Sequence, residues 1–417
     1  MARILILSLV FAPDGVSTAV IVSELAQDLQ AMGHRLTVLT TAPHYNLDAE
    51  ARARQPLRRR WGGLFYRSDY HGVPVWHTAM PCKGGSALSR ARDYLIFHAI
   101  SLWLGIAAVG RQDVVFAVSP PLTIGVIGWL LARVRGARLV YNVQELYPDA
   151  AVKVGVLRAG SRIVRVLERV ERFVYRRAHA LAVICEPFAK AVTKKGIDAK
   201  KVHKIPNFVD VETIRPGTKD NALARELGLV ARYVVLYAGN IGMTQSFDTL
   251  LEAAGRLRDA PDVHFLIVGD GVRRAYVAAQ VRARALGNVT LLPYQPRSRV
   301  PDIYAAADLG LVPLMAGAAT ATVPSKLYTI MASARPALVA ADAGSELVKT
   351  VRDAQCGLSV PPDDADALEA GIRQAYARQD QFRAFGANGR RYVAAHFSRR
   401  AVSAQYHALF EALAADR

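Results

Sequence analysis

Three short stretches join a glycine- or proline-bearing turn to the start of an apolar helix: FAPDGVSTA (11–19), YAGNIGMTQS (237–246) and VPSKLYT (323–329). The unpaired N–H groups and dipole of a helix start attract anions. The first stretch offers Asp14, Gly15, Val16 and Ser17, with His44 at the end of the following strand as a companion. The second offers Gly239, Asn240 and Gln245. The third offers Ser325 as cap, Lys326 as a charge, and Leu327. None is a GxGxxG fingerprint or a P-loop lysine motif, and glycine turns before helices are common for structural reasons alone. Their recurrence on strand–helix turns in both halves of the chain points to a phosphorylated ligand.

Carboxylates come next. YNVQELYPDAAVKVG (141–155) follows a strand and carries Glu145 and Asp149. Glu145, at the strand end, could orient a hydroxyl or take its proton. Asp149 could do the same, or cap a helix after Pro148. Arg273 and Arg274 follow a GDG turn, where they either meet a phosphate or form a solvated first helical turn. Pro293, Tyr294 and Gln295 end another strand, where a planar base could stack, and Thr329 completes a nucleoside-binding set.

The elements that must position these residues are legible as a pattern. ARILILSLV is a continuous apolar run, as expected of a strand buried on both faces. TAVIVSELAQDLQAMG is an amphipathic helix, and HRLTVLTT a second strand. DVVFAVSPP, RLVYNVQE, ALAVICE and KVHKIPN extend the series. The pattern restarts at YVVLYAGNIG and continues through VHFLIVGDG, VTLLPY, LGLVPL and PALVAA. The expected fold class is therefore α/β, with two doubly wound parallel-sheet domains and a ligand in the cleft between them. The expected boundaries are 1–206, a linker at 207–220, a second domain at 221–392, and a C-terminal helix at 393–417 packing back on the first domain.

Composition narrows the class. A chain of 417 residues with 52% hydrophobic and 21% charged residues is globular. Cys82, Cys185 and Cys356 have neither metal-ligand spacing nor a disulfide framework, which fits a reducing cytoplasm and no metal. The N-terminus reads as a strand and turn, not a signal peptide. A net charge of +18 calls for anionic partners, although many arginines lie at scattered helix positions and a genome-wide arginine bias would give the same total. No recognition helix, RNP motif or zinc signature supports nucleic acid.

Two segments bear on a membrane. ARARQPLRRRWGGLFYR (51–67) is a basic insertion with aromatics, and DYLIFHAISLWLGIAAVG (93–110) is a long apolar run. The run suits a core helix, an interfacial helix beside the basic segment, or a span; a span needs about 20 apolar residues.

Taken in order, these motifs resemble a known family along nearly the whole chain: FAPDGVSTAVIVSELAQDL, VQELYPDAAVKVGVL, NFVDVETIRP, YAGNIGMTQSFDTLLEAA, VPSKLYTIMASARP, DAGSELVKTVRDAQCGLSVPPDD and HFSRR. The chain is similar to GT-B fold glycosyltransferases of family 4. The likeness is greatest to the bacterial O-antigen and exopolysaccharide branch of N-acetylfucosaminyl- and colanic-acid fucosyltransferase-like enzymes. The resemblance implies a retaining transferase that takes a nucleotide-diphospho-sugar, a UDP-sugar first, and needs no metal or other cofactor. It implies a polyprenyl-diphosphate-linked saccharide as acceptor, met by the first domain, and an anionic membrane surface on the cytoplasmic side as workplace. A GT-B-type sugar-nucleotide epimerase is the alternative enzyme; a basic nucleic-acid-binding protein is the non-enzyme alternative.

Two departures stand out. Family members commonly carry two glutamates eight positions apart around the third helix start; here those positions are Ala321 and Thr329. They also carry an Arg and a Lys in the second turn, where this chain has Asn240 and Gln245. The diphosphate would then rest on the Ser325 helix start, Lys326 and the 239–242 turn, helped by Arg273 or Arg274. Backbone around AGAATAT (316–322) would meet the sugar, which favours a 6-deoxy sugar with fewer hydroxyls to hold.

Overall fold

A computed structural model describes residues 1–417 except 46–48, 81–86, 154, 321–324 and 417. The chain forms two units, residues 1–207 with 399–417, and residues 208–398.

The first unit is built on β1 (Arg3–Ser8), β2 (Arg35–Thr41), β3 (Arg58–Arg60), β4 (Phe65–Tyr70), β5 (Val73–Thr78), β6 (Val114–Val118), β7 (Arg138–Val143), β8 (Ala180–Val183) and β9 (Val202–Lys204). They lie in the order β3-β4-β5-β2-β1-β6-β7-β8-β9. Strands from β5 to β9 in that order run parallel; Ile4 pairs with Leu36 on one side and Val114 on the other. The period-2 alternation of β6 separates two helical layers. A Cβ on Gly128, in the Ile124–Arg135 helix, would stand 2.8 Å from the Ala117 side chain, whereas neighbouring Phe116 meets Tyr406 and Phe410 on the opposite face.

One layer holds the helices Ala87–Ala107, Ile124–Arg135 and Arg162–Arg177 side by side. The other holds Ser17–Ala31 and the C-terminal Arg399–Ala415. Arg399 pairs with Asp28 at 2.6 Å, and Ser403 donates to the same carboxylate. His34 Nδ1 accepts from the Ala2 N–H, so its Nε2 carries the proton and donates to His407 at 2.8 Å. These contacts hold the last helix to the Ser17–Ala31 helix and to the turn before β2.

The basic 51–67 segment becomes part of this sheet. Its Arg58–Arg60 forms an exposed edge strand, antiparallel to β4. β4 returns into β5 through His71-Gly72, both at positive φ, as a two-residue hairpin requires. The apolar run becomes the helix Ala87–Ala107. It buries Phe97, Ile100 and Leu104 and exposes Leu95, Trp103 and Ile106, so the core and interfacial expectations each describe one face. Among the described residues, no helix is long and apolar enough to cross a membrane.

The second unit contains β10 (Tyr233–Ala238), β11 (Val263–Val268), β12 (Val289–Leu292), β13 (Leu309–Pro313), β14 (Ala337–Ala340) and β15 (Gly357–Val360). Their order is β12-β11-β10-β13-β14-β15, all parallel. The core lies on both faces, with Leu236, Val312 and Met331 on one and Tyr237, Phe247 and Phe265 on the other.

The charge is not shared. The first unit has 32 Lys and Arg against 16 Asp and Glu, a net +16; the second has 21 against 19, a net +2, which together give the chain's +18. Arginine itself is spread almost evenly, 24 in the first unit and 18 in the second; the imbalance comes from 8 lysines against 3 and 16 carboxylates against 19.

Candidate active site

In the second unit, β10 and β11 end side by side in glycine turns. Gly239 and Gly269 have φ of 144° and 149°, which exclude an ordinary side chain. A Cβ on Gly269 would stand 1.9 Å from the Gly239 carbonyl oxygen. A Cβ on Gly271 would stand 2.5 Å from that of Ile241. The turns are locked by Gly239 N–H to Val268 O at 2.9 Å and Ile241 N–H to Asp270 O at 2.8 Å.

Lys326 lies across this joint. A Cβ on Gly239 would meet its Cε at 2.2 Å, and its Nζ is 5.3 Å from the Tyr237 ring centre. Tyr237 in turn donates its hydroxyl to the Asn240 carbonyl. Among the described residues, no carboxylate pairs with Lys326, and burial pulls its ammonium down to about 8. A cation in that state, beside a backbone-lined turn, gains by meeting an anion. Tyr237, Gly269 and Gly271 were not singled out from the sequence. The signal was there, since the strand-then-glycine pattern recurs in VLYAG and LIVGDG.

Several expected donor contacts are redirected. Gln245, 6% exposed, turns inward and accepts from the Gly242 N–H at 3.0 Å. The amides of 239, 241 and 242 are thus all engaged within the protein, so the turn offers a phosphate far fewer donors than expected. Asn240 is exposed at the turn's tip. Arg273 pairs with Asp248 at 2.8 Å and lies over Tyr276, so its charge is already neutralised. Arg274 is half-buried, with Nε lacking a partner. Ser325 stands at the start of the Lys326–Ala332 helix, but its hydroxyl makes no capping bond to that helix. Leu327 is a core residue. Thr329 hydrogen-bonds the buried Tyr304 hydroxyl, which draws it away from a nucleoside role. Pro293 and Tyr294 are exposed beyond β12, and Gln295 donates to the Pro293 carbonyl and accepts from Arg299. The Ala321 position, like most of the turn before Ser325, lies outside the described residues.

In the first unit, Asp14 is 4% exposed and staples two loops: its Oδ2 accepts from the N–H groups of His44 and Tyr45 at 3.1 and 3.0 Å. Its Oδ1 is buried without a hydrogen-bond partner. His44 Nδ1 sits 3.1 Å from the Thr41 hydroxyl and 3.0 Å from the Ala42 carbonyl. Val16 is the N-cap of the Ser17–Ala31 helix, with Gly15 before it and Ser17 opening its first turn. The structure therefore joins Asp14 to the His44 loop. A buried carboxylate beside the start of the Ser17–Ala31 helix opposes the anion expected from the sequence at this turn.

Glu145 follows β7 and is half-buried. Burial raises its pKa, with no cation opposing the shift. That leaves a carboxyl tuned toward proton exchange. Asp149 takes the other route: Lys195 binds it at 3.1 Å and binds buried Glu171 at 2.7 Å, making a structural ion cluster.

Two family models match this chain: a glycosyl transferase 4-like domain over residues 17–207, and glycosyl transferases group 1 over residues 232–378. The chain belongs to the family 4 glycosyltransferases. The transferase is 28% identical over 381 residues to WcaI of Escherichia coli K12, described as a colanic acid biosynthesis glycosyl transferase; 89% of this chain and 92% of the relative are covered. Sucrose-phosphate synthase of Thermosynechococcus elongatus superposes with a TM-score of 0.79 at 20% identity over 100% of both chains. Anabaena HepE in complex with UDP-glucose does so with 0.75 at 15% identity, covering 99% and 100%. The two parallel-sheet units are thus a GT-B fold. Within it, the side chain of Gln245 bolts the 239–242 turn by accepting from the Gly242 N–H.

Proposed function

We propose that the transferase moves a sugar from a nucleotide-diphospho-sugar, with retention, to a polyprenyl-diphosphate-linked saccharide at an anionic membrane surface, in exopolysaccharide or O-antigen synthesis. The observation that carries this reading is the uncompensated Lys326 ammonium over the Gly239–Gly269 joint. It supplies the charge that a leaving diphosphate needs, in surroundings where one cation acts strongly. The HepE complex with UDP-glucose and the colanic acid relative support the donor class and the pathway class. A UDP-sugar is favoured, and a 6-deoxy sugar fits the absence of a glutamate at Ala321.

Retention follows a front-face path. The bond from the anomeric carbon to the leaving phosphate breaks as the acceptor oxygen bonds on the same face, and a phosphate oxygen receives the acceptor proton. Glu145 orients that hydroxyl; Asp14, with its unpartnered oxygen, is the companion on the same unit. Positioning and electrostatics supply most of the rate, so the missing carboxylates do not abolish it.

The membrane reading rests on an aromatic cluster. Trp61, 71% exposed, packs on Trp103 at 5.1 Å, and Phe65 on Trp76 at 5.4 Å, beside the exposed Arg58, Arg59 and Arg60. Aromatics beside basic residues suit a headgroup boundary. The proposal is tested by thermal shifts across UDP-, GDP- and dTDP-sugars, followed by transfer to a lipid-linked acceptor. A donor at 100 times its Kd stabilises by about 2.7 kcal/mol. No shift with any donor, in wild type or Lys326→Ala, would sink it; epimerised nucleotide without transfer would make the protein an epimerase.

A further inference from the structure

The Arg162–Arg177 helix turns Val164, Glu171, Val174 and Tyr175 inward. Glu171, 1% exposed, is held by Lys195, which also binds Asp149, and this fixes the helix's rotation. Its outward side then carries Arg162, Arg165, Arg169, Arg172 and Arg176, all exposed. Their alternating three- and four-residue spacing places them in one stripe. The row spans roughly 21 Å at 1.5 Å rise per residue. Among the described residues, none of the five has a carboxylate in ion-pair range. The helix's other glutamate, Glu168, borders the row three residues from Arg165 and four from Arg172, is half-buried, and forms an ion pair with neither among the described residues. Val166 is exposed on the flank of the stripe, four residues from Arg162, and Val156 is exposed before the helix.

A solvated surface helix usually alternates its charges; this one separates them. A straight row of one sign, with apolar side chains alongside, matches a flat sheet of anionic headgroups better than a curved groove. The same helical layer continues through the exposed Arg133 and Val134 to Trp103 and Trp61.

We infer that the Arg162–Arg176 row is a second contact with anionic lipid, distinct from the aromatic cluster and lying in the same layer as the helix that carries Trp103. This rests on the membrane reading above. The lipid phosphates meet the guanidinium groups while Val166, on the flank of the row, enters the headgroup boundary. The inner side of the helix, through Glu171 and Lys195, is tied to Asp149, four residues beyond Glu145. Seating the row on a bilayer therefore fixes the orientation of the acceptor-side loop.

The test is co-sedimentation of the full chain with phosphatidylglycerol/phosphatidylcholine vesicles and with pure phosphatidylcholine vesicles at low salt. Four proteins are compared: wild type, R165Q/R169Q/R172Q, the charge-preserving R165K/R169K/R172K, and R58Q/R59Q/R60Q. Each basic residue at an anionic surface is worth roughly fivefold in affinity, so the glutamine triple on the row should lose on the order of 100-fold. The lysine triple should bind like wild type, and pure phosphatidylcholine should show little difference among the proteins. If the row variant binds anionic vesicles like wild type while R58Q/R59Q/R60Q does not, the row is no lipid contact and the membrane reading survives. If wild type binds no vesicles, both fall. If duplex DNA strips wild type from vesicles and the row variant loses DNA but keeps vesicle binding, the row belongs to nucleic acid and the inference is overturned.

Discussion

The two units share one architecture and treat arginine differently. In the 208–398 unit, Arg256 is paired with Glu252 and Asp366, Arg273 with Asp248, Arg299 with Glu226, and Arg373 with Asp259 and Glu369. Lys326 there is a half-buried cation, its ammonium pulled down to about 8 by burial, with no carboxylate partner among the described residues. In the other unit, the Arg162–Arg176 row and Arg58–Arg60 are exposed and have no carboxylate partner among the described residues. The difference matches two kinds of anion. A small diphosphate is held by one cation where the dielectric is low and water is excluded. An extended anionic surface is held by many solvated cations, each weak and screened within about 8 Å at physiological salt.

The strongest way to break this division is at Glu145. If the first unit serves the acceptor and the second the donor, Glu145→Gln lowers turnover on the order of 100-fold and leaves donor affinity unchanged. Equal loss of donor binding, measured by calorimetry, would end the division. Because burial raises the Glu145 pKa, the carboxylate form is present above the raised value and lost as pH falls through it. The acid limb of the wild-type kcat profile should therefore lie above the ordinary carboxylate range and be absent in Glu145→Gln.

Lys326→Ala should weaken UDP-sugar binding by roughly 1.5–3 kcal/mol, the worth of a charge-assisted contact. A bound diphosphate favours the ammonium, so the Lys326 pKa rises above about 8 on binding. Affinity is then flat below about 8 and falls as pH rises from there toward the bound value. A wild-type binding profile flat across that range would remove Lys326 from the site. Gly269→Ala tests the scaffold beneath it. The new methyl meets the Gly239 carbonyl at a φ of 149°, and overpacking of this sort costs roughly 1–3 kcal/mol. A lowered melting temperature with weakened UDP binding is expected; unchanged melting would mean that the two turns are not in contact.

The parts of this molecule that were legible in its sequence are those fixed by local pattern. β1, β6, β7, β10 and β11 are continuous apolar runs because parallel strands are buried on both faces. β4 and β5 escaped because they are short and polar-interrupted rather than continuous apolar runs, and because β4, FYRSDY, begins inside the basic 51–67 segment that read as an insertion. At Gln245 the resemblance implied a cation that the sequence does not have. That its amide would bolt Gly242 depends on a turn geometry that composition does not encode. Arg273 was a reasonable phosphate ligand until Asp248, 25 residues away, came beside it. The arginine row is the reverse case. Read along the chain the residues look scattered, and only the helical period, with the buried Glu171 setting its phase, collects them.

The smallest expected effect is the most informative control. R256Q/R373Q in the 208–398 unit and R165Q/R169Q in the row each lower the chain's net charge by two. If vesicle binding followed net charge alone, the two variants would weaken it equally. They differ in what they uncover. Removing Arg256 and Arg373 frees Asp366 and Asp259 in a unit already near neutrality, whereas removing Arg165 and Arg169 takes two cations from a row that nothing neutralises. With a screening length of about 8 Å, a charge acts on a membrane only where it touches it. The first variant should therefore bind phosphatidylglycerol vesicles like wild type, and the second should bind on the order of 25-fold more weakly, fivefold for each arginine. Equal weakening would show that the protein is held to anionic surfaces by its total charge, and the contrast between the two units would lose its functional meaning.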